Sequence, residues 1–200
     1  MKTRILLLIV CFVLAGHNLF AQGQGVVSFT SVGAPESKKI FGADCAFASG
    51  TAYRVALYWG AATQTDDRNL VQIGNSAAFL TGASAGTYFG GGRTITTPGS
   101  SVNGPVLAFQ VRGWASAYGA SYEEALVNAG PFGKGPIFTL KTKDPLNALE
   151  TTPSLYQAPG YQGFPIIWPE GCIPEPSSTA VAILAGASLL FLRVVQKRRR

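Results

Sequence analysis

Ala52-Tyr-Arg-Val-Ala-Leu-Tyr-Trp59 alternates along its length. Tyr53, Val55, Leu57 and Trp59 fall on one side of an extended chain, and Ala52, Arg54, Ala56 and Tyr58 on the other. Side chains repeat every two residues on a strand and about every 3.6 on a helix, so this stretch reads as a strand. Val106-Leu-Ala-Phe-Gln-Val-Arg112 repeats the pattern, with Leu107, Phe109 and Val111 set against Ala108, Gln110 and Arg112. One apolar face and one more polar face per strand predict an antiparallel sheet with a single side buried.

Working outward, short runs at Gly25–Thr30, Ala52–Trp59, Asn69–Ile73, Thr87–Phe89, Arg93–Thr97, Pro105–Arg112 and Ile137–Lys141 read as strands. Gly90-Gly91-Gly92, Thr97-Pro98-Gly99-Ser100 and Asn103-Gly104-Pro105 punctuate them as turns. Many short strands at this spacing predict a mainly β fold, a single β-sandwich-like ectodomain over 22–143. One short helix interrupts it. Ser121-Tyr-Glu-Glu124 opens with a capping box, in which the Ser121 hydroxyl accepts from the Glu124 backbone and the Glu124 carboxylate reaches back. Gly130-Pro131 ends that helix. The proline-rich segment 144–173 predicts an irregular stalk.

The two ends predict where the chain goes. Met1-Lys2-Thr3-Arg4, an apolar run from Ile5 to Gly16 and a short polar passage ending at Ala21 make the three-part pattern of a signal peptide over 1–21, cleaved after Ala21. An uncleaved N-terminal membrane helix is the alternative, and the apolar run is short for it. At the other end, Ser177 to Val195 is nineteen residues. As a helix they extend ~28 Å at ~1.5 Å per residue, against a bilayer core of ~30 Å. The segment over about 178–195 therefore reads as a transmembrane helix, with Arg193 snorkelling and the basic tail Lys197, Arg198, Arg199 and Arg200 on the cytoplasmic side. A soluble core helix is the alternative; it needs no basic cluster.

Pro174-Glu175-Pro176-Ser177, the apolar stretch and the terminal basic cluster stand in that order over 174–200. This tail resembles the PEP-CTERM sorting signal of Gram-negative bacteria. The resemblance implies export across the inner membrane, transient anchoring by the C-terminal helix, processing near Pro-Glu-Pro by an exosortase, and delivery to the cell surface or exopolysaccharide matrix. The same segment is sometimes labelled an ice-binding-protein C-terminal domain, which describes the tail and not an activity. Tyr53 to Gly60 and Phe109 to Leu126 are similar to passages recurring in PEP-CTERM proteins of the Verrucomicrobia type, and carry no functional residues to transfer.

The net charge of +6 and a pI near 9.4 suggest an anionic partner. Location removes that suggestion. Two of the sixteen Lys and Arg leave with the signal peptide and five lie in the tail, so 22–173 holds nine against nine Asp and Glu. A neutral domain lacks the footprint for nucleic acid. Of three cysteines, Cys11 falls in the signal peptide, leaving Cys45 and Cys172 as a pair in an oxidising compartment. A disulfide between them is expected, with two buried thiols as the alternative.

Catalysis finds little to work with. Gly82-Ala83-Ser84-Ala85-Gly86 fits the G-x-S-x-G of a nucleophile elbow, but the only histidine, His17, lies in the signal peptide, so no Ser-His-Asp triad can form. Asp66-Asp67 suits a solvated turn better than a calcium site. Glu123 and Glu124 point about 100° apart on a helix, and a glycosidase pair would need two distant carboxylates to converge. No metal and no cofactor are expected. The aromatic residues Trp59, Trp114, Tyr118, Tyr122, Tyr156, Tyr161 and Trp168 are numerous, and Trp59, Trp114 and Trp168 are candidates for stacking on sugar rings if exposed. Core or sheet-edge positions are the alternative. The expected function is therefore that of an exported, non-catalytic structural or adhesive protein of the cell surface or matrix. A carbohydrate-binding module is the second reading, and a hydrolase using carboxylates alone the third.

Overall fold

The computed structural model describes residues 23–97 and 102–168. The expected signal peptide with its cleavage site at Ala21, the Pro174-Glu175-Pro176-Ser177 motif and the expected C-terminal helix and basic cluster lie outside the described residues. Among the described residues, no helix is long and apolar enough to cross a membrane.

The described residues are mainly β, with antiparallel sheets and one short α-helix. Strand β1 is Gly23–Thr30, β2 Tyr53–Ala61, β3 Val71–Ala78, β4 Phe89–Thr97, β5 Val106–Ala115, β6 Phe132–Lys134 and β7 Phe138–Lys141; helix α1 is Tyr122–Val127. β1 and β4 pair as a two-stranded sheet. The other sheet runs β3-β2-β5-β6, and β7 also pairs with β5. β6 meets β5 at residues 112–114 and β7 meets it at 106–109, so two short strands share one long edge.

The alternation of Ala52–Trp59 has the predicted effect. Val55 and Leu57 from β2, with Leu107, Phe109 and Val111 from β5, enter one buried cluster together with Val27 and Phe29 from β1 and Ile95 from β4. Both sheets thus bury an apolar face in the same core. The opposite face of the larger sheet departs from expectation. Ala56, Tyr58 and Trp114 form a second buried cluster with Leu70, Tyr122 and Ala125, because α1 lies over that face. Every residue of β5 from Leu107 to Ala115 is buried as a result.

Other differences have physical causes. Gly90-Gly91-Gly92 lies inside β4 rather than in a turn between two strands. A Cβ on Gly90 would stand 2.2 Å from Phe29 Cδ1, so the bare backbone admits that ring. The strand placed at Asn69–Ile73 begins later and reaches Ala78, because Asp67–Asn69 forms a 3-10 turn in which the Asp66 carboxylate accepts from the Arg68 N–H. The three-residue β6 is too short for periodicity to register.

Residues 144–168 are irregular, but they are not a stalk, and the domain boundary at 143 moves to include them. Leu155, Tyr161, Phe164 and Ile166 are buried in the main core. The Ser28 N–H donates to Pro153 O at 2.9 Å, and Val26 and Lys143 exchange both backbone bonds, so this segment closes the outer edge of β1. Proline blocks ladder hydrogen bonds; it does not keep neighbouring side chains out of a core.

Candidate functional site

Helix α1 begins as its sequence dictates. Ser121 Oγ accepts from the Glu124 N–H at 3.1 Å. The Glu124 carboxylate turns back to the Ala120 N–H at 2.7 Å, one residue before the expected return bond. This cap aims Glu123 at the sheet. Its carboxylate accepts from the Tyr58 hydroxyl at 2.9 Å and pairs with Arg112 at 3.3 Å.

Arg112 is the centre of that network. Its Nε donates to Gln110 Oε1 at 2.8 Å, a second nitrogen donates to Asp67 O, and the guanidinium lies over the Tyr58 ring. Asp67 also pairs with Lys134, which holds its carboxyl below the usual range. Burial, reinforced by the Glu123 carboxylate, pushes the Tyr58 phenol well above the ordinary tyrosine value. These partners offset the cost of taking a guanidinium out of water. The network fixes helix to sheet and leaves Arg112 turned away from solvent.

Glu123 and Glu124 accordingly do separate structural work, and the Asp66-Asp67 pair is a capped turn. The G-x-S-x-G stretch is a 3-10 turn at Gly82–Ser84, without the strand and helix that would make an elbow. Among the described residues, no three His, Cys, Asp or Glu side chains gather as metal ligands. Cys45 sits exposed at the tip of a turn with φ of 61°. Its expected partner Cys172 lies outside the described residues.

The aromatic candidates separate clearly. Trp114 is fully buried and its indole N–H donates to Gly119 O at 2.9 Å, which removes it as a ligand contact. Tyr122 and Tyr161 are buried too. Trp168 is half-buried and stands edge-on to Tyr118 with centroids 5.3 Å apart. Trp59, also half-buried, packs partly on the core and lines an open groove of about 420 Å³. Asn69, Val71, Thr97 and Val106 share that groove, with Val71 62 % and Val106 50 % exposed.

A second groove, of about 580 Å³, opens on the outer face of the larger sheet. Arg54, Gln72, Asn75, Ser76 and Ser116 line it, with Gly119 and Ala120 at the rim. Sequence reasoning did not single these residues out. Alternation had placed Arg54 on the same face as Tyr58, but the register that brings β3 beside it includes a bulge between Val55 and Leu57. The chain matches no protein-family model, no curated protein and no solved structure.

Proposed function

We propose that this chain is an exported, non-catalytic protein of the cell surface or exopolysaccharide matrix, sorted by a PEP-CTERM signal in a Gram-negative bacterium. Its ectodomain is a small, unequal β-sandwich that works by adhesion. The observation that supports this best is how the carboxylates are used. Asp44, Asp66, Asp67, Glu123, Glu124, Asp144 and Glu150 each accept from a backbone N–H or hold a Lys, Arg or Tyr within the fold. Side chains committed to turns and caps are poor candidates for the paired acid and base of a carboxylate hydrolase. With no histidine between residues 22 and 173, the usual proton carrier near neutral pH is missing from the exported part.

The deciding experiment is fractionation of native cells into cytoplasm, inner membrane, surface and matrix, with mass spectrometry of the termini in each. The reading requires surface or matrix protein that begins near Gln22 and ends near Pro176. Surface protein that still carries Arg200 would remove the exosortase step, and protein confined to the cytoplasm would overturn the reading.

A specific observation favours carbohydrate binding as the second reading. The Trp59 groove joins a half-buried indole to exposed aliphatic surface, with Asn69 and Thr97 as polar groups. A sugar presents the matching pair of an apolar C–H face and hydroxyl edges. Co-sedimentation with host exopolysaccharide tests it. Binding that falls away in Trp59→Ala would support it, and equal binding by wild type and variant would remove Trp59 from the account.

A further inference from the structure

We infer that the groove on the outer sheet face binds carboxylate-bearing polysaccharide, with the Arg54 guanidinium taking the uronate carboxylate. This rests on the matrix reading for its biological setting and on the groove alone for its chemistry.

Arg54 stands on β2 between Ala78 of β3 and Trp114 of β5. The other cations on this sheet have partners inside the fold: Arg112 pairs with Glu123, Lys134 with Asp67 and Lys141 with Glu150. The Arg54 side chain has no ion pair or hydrogen bond among the described residues, and it lines the groove. The Glu124 carboxylate stands at the same rim, oriented toward the Ala120 N–H and still charged. A second cation stands behind the opposite rim, where an Arg93 side-chain nitrogen donates to Asn75 O at 2.8 Å. Arg93 makes no ion pair among the described residues either, so two guanidiniums without a carboxylate partner flank the groove against the one Glu124 carboxylate at its rim.

The remaining lining carries hydroxyls and amides. Ser116 Oγ donates inward to Thr51 O and Ala52 O at 2.8 and 3.1 Å, which leaves its lone pairs for an outside donor. Gln72 accepts from Tyr58 and donates to Gly74 O, so its position is fixed before any ligand arrives. The side chains of Asn75 and Ser76 have no partner among the described residues. One planar guanidinium fits one planar carboxylate in two parallel hydrogen bonds. Neighbouring amides and hydroxyls fit the adjacent hydroxyls of a sugar. A nucleic-acid strand would call for a row of cations along the groove, which this lining does not supply. The open trough suits a polymer better than an enclosed small molecule.

The test is affinity electrophoresis of the full-length protein through gels containing polygalacturonate, its methyl ester or dextran sulfate. Arg54→Gln is compared with Arg68→Gln, an exposed arginine outside the groove. Both variants keep the basic tail, so the tail's attraction to polyanions cancels. Polygalacturonate should retard the wild type, with Arg54→Gln weakening binding roughly tenfold or more and Arg68→Gln changing it less than twofold. Arg54→Lys, which keeps the charge without the fork, should fall between, and methyl esterification should abolish the Arg54-dependent part. Equal loss in the two Gln variants, indifference to esterification, or stronger Arg54-dependent binding to dextran sulfate would overturn the proposal. Matrix-located protein whose retardation ignores Arg54 would sink the groove and spare the matrix reading. Cytoplasmic protein with Arg54-dependent binding would do the reverse.

Discussion

The guanidinium carbon of Arg112 lies 3.9 Å from the ring centroid of Tyr58, and both side chains direct their polar atoms to the same Glu123 carboxylate. The three partners do not contribute alike. The Arg112 side chain is 8 % exposed and that of Glu123 56 %. Arg112→Ala opens a hole beneath α1, leaves the buried Gln110 Oε1 without its donor and strips the Glu123 carboxylate of its cation, for a loss of about 3 kcal/mol. Glu123→Ala leaves Arg112 with Gln110, Asp67 O and the Tyr58 ring, and a solvent-screened pair gives up about 1 kcal/mol or less. Urea unfolding of the two variants measures the asymmetry. Equal losses would mean that the ion pair, rather than the buried guanidinium, anchors the helix.

Alkaline pH should unfold this domain through its tyrosines. Burial pushes Tyr58, Tyr88, Tyr122 and Tyr161 above the ordinary phenol value. The unfolded chain releases these protons near pH ~10 while the folded chain keeps them. Stability is therefore fully present below pH ~10 and is lost as pH rises toward the folded-state values. Tyr58→Phe removes one such group, so its unfolding midpoint should fall less steeply between pH ~10 and ~11.5 than that of the wild type. Parallel declines for the two proteins would show that the Tyr58 phenol does not contribute.

Some of this was legible in the residues and some was not. The alternation of Tyr53 to Trp59 and of Leu107 to Arg112 identified the two central strands and their inward faces. The Ser121 cap identified the helix start. Periodicity could not say that α1 would fold back over Ala56, Tyr58 and Trp114, because that depends on a contact between segments far apart in sequence. The same limit hid the grooves: Arg54 and Asn75 share one only through strand pairing. Composition misled over 144–168, where prolines obscured an apolar set at Leu155, Tyr161, Phe164 and Ile166.

The burial of that set predicts that a chain ending at Lys143 will not fold. Leu155 and Ile166 are fully enclosed, and truncating either to Ala should cost about 2–5 kcal/mol. Leu149, 96 % exposed in the same segment, should tolerate Ala within about 0.5 kcal/mol. Thermal unfolding of Leu155→Ala and Leu149→Ala tests the wrap directly. A chain cut at 143 that unfolds with the cooperativity of the longer form would restore the stalk.

Two glycines test how closely that segment approaches the sheet. A Cβ on Gly133 would stand 2.0 Å from Pro165 O, a backbone atom that cannot swing aside. Phe132 and Ile167 exchange backbone hydrogen bonds at 3.0 and 3.1 Å beside it, so relief requires the two chains to part. Gly133→Ala should therefore lower stability by about 3 kcal/mol, near the upper end for single substitutions. A Cβ on Gly92, within β4, meets nothing within 4 Å, and φ there is not positive. Gly92→Ala should be neutral, or stabilising by up to about 1 kcal/mol, since it narrows the unfolded ensemble without native strain. Chemical denaturation of both variants gives the comparison, and hydrogen exchange at Phe132 and Ile167 reports whether the two chains have separated. A tolerated Gly133→Ala with protection retained at those amides would mean the segment lies farther from β6 than this packing requires.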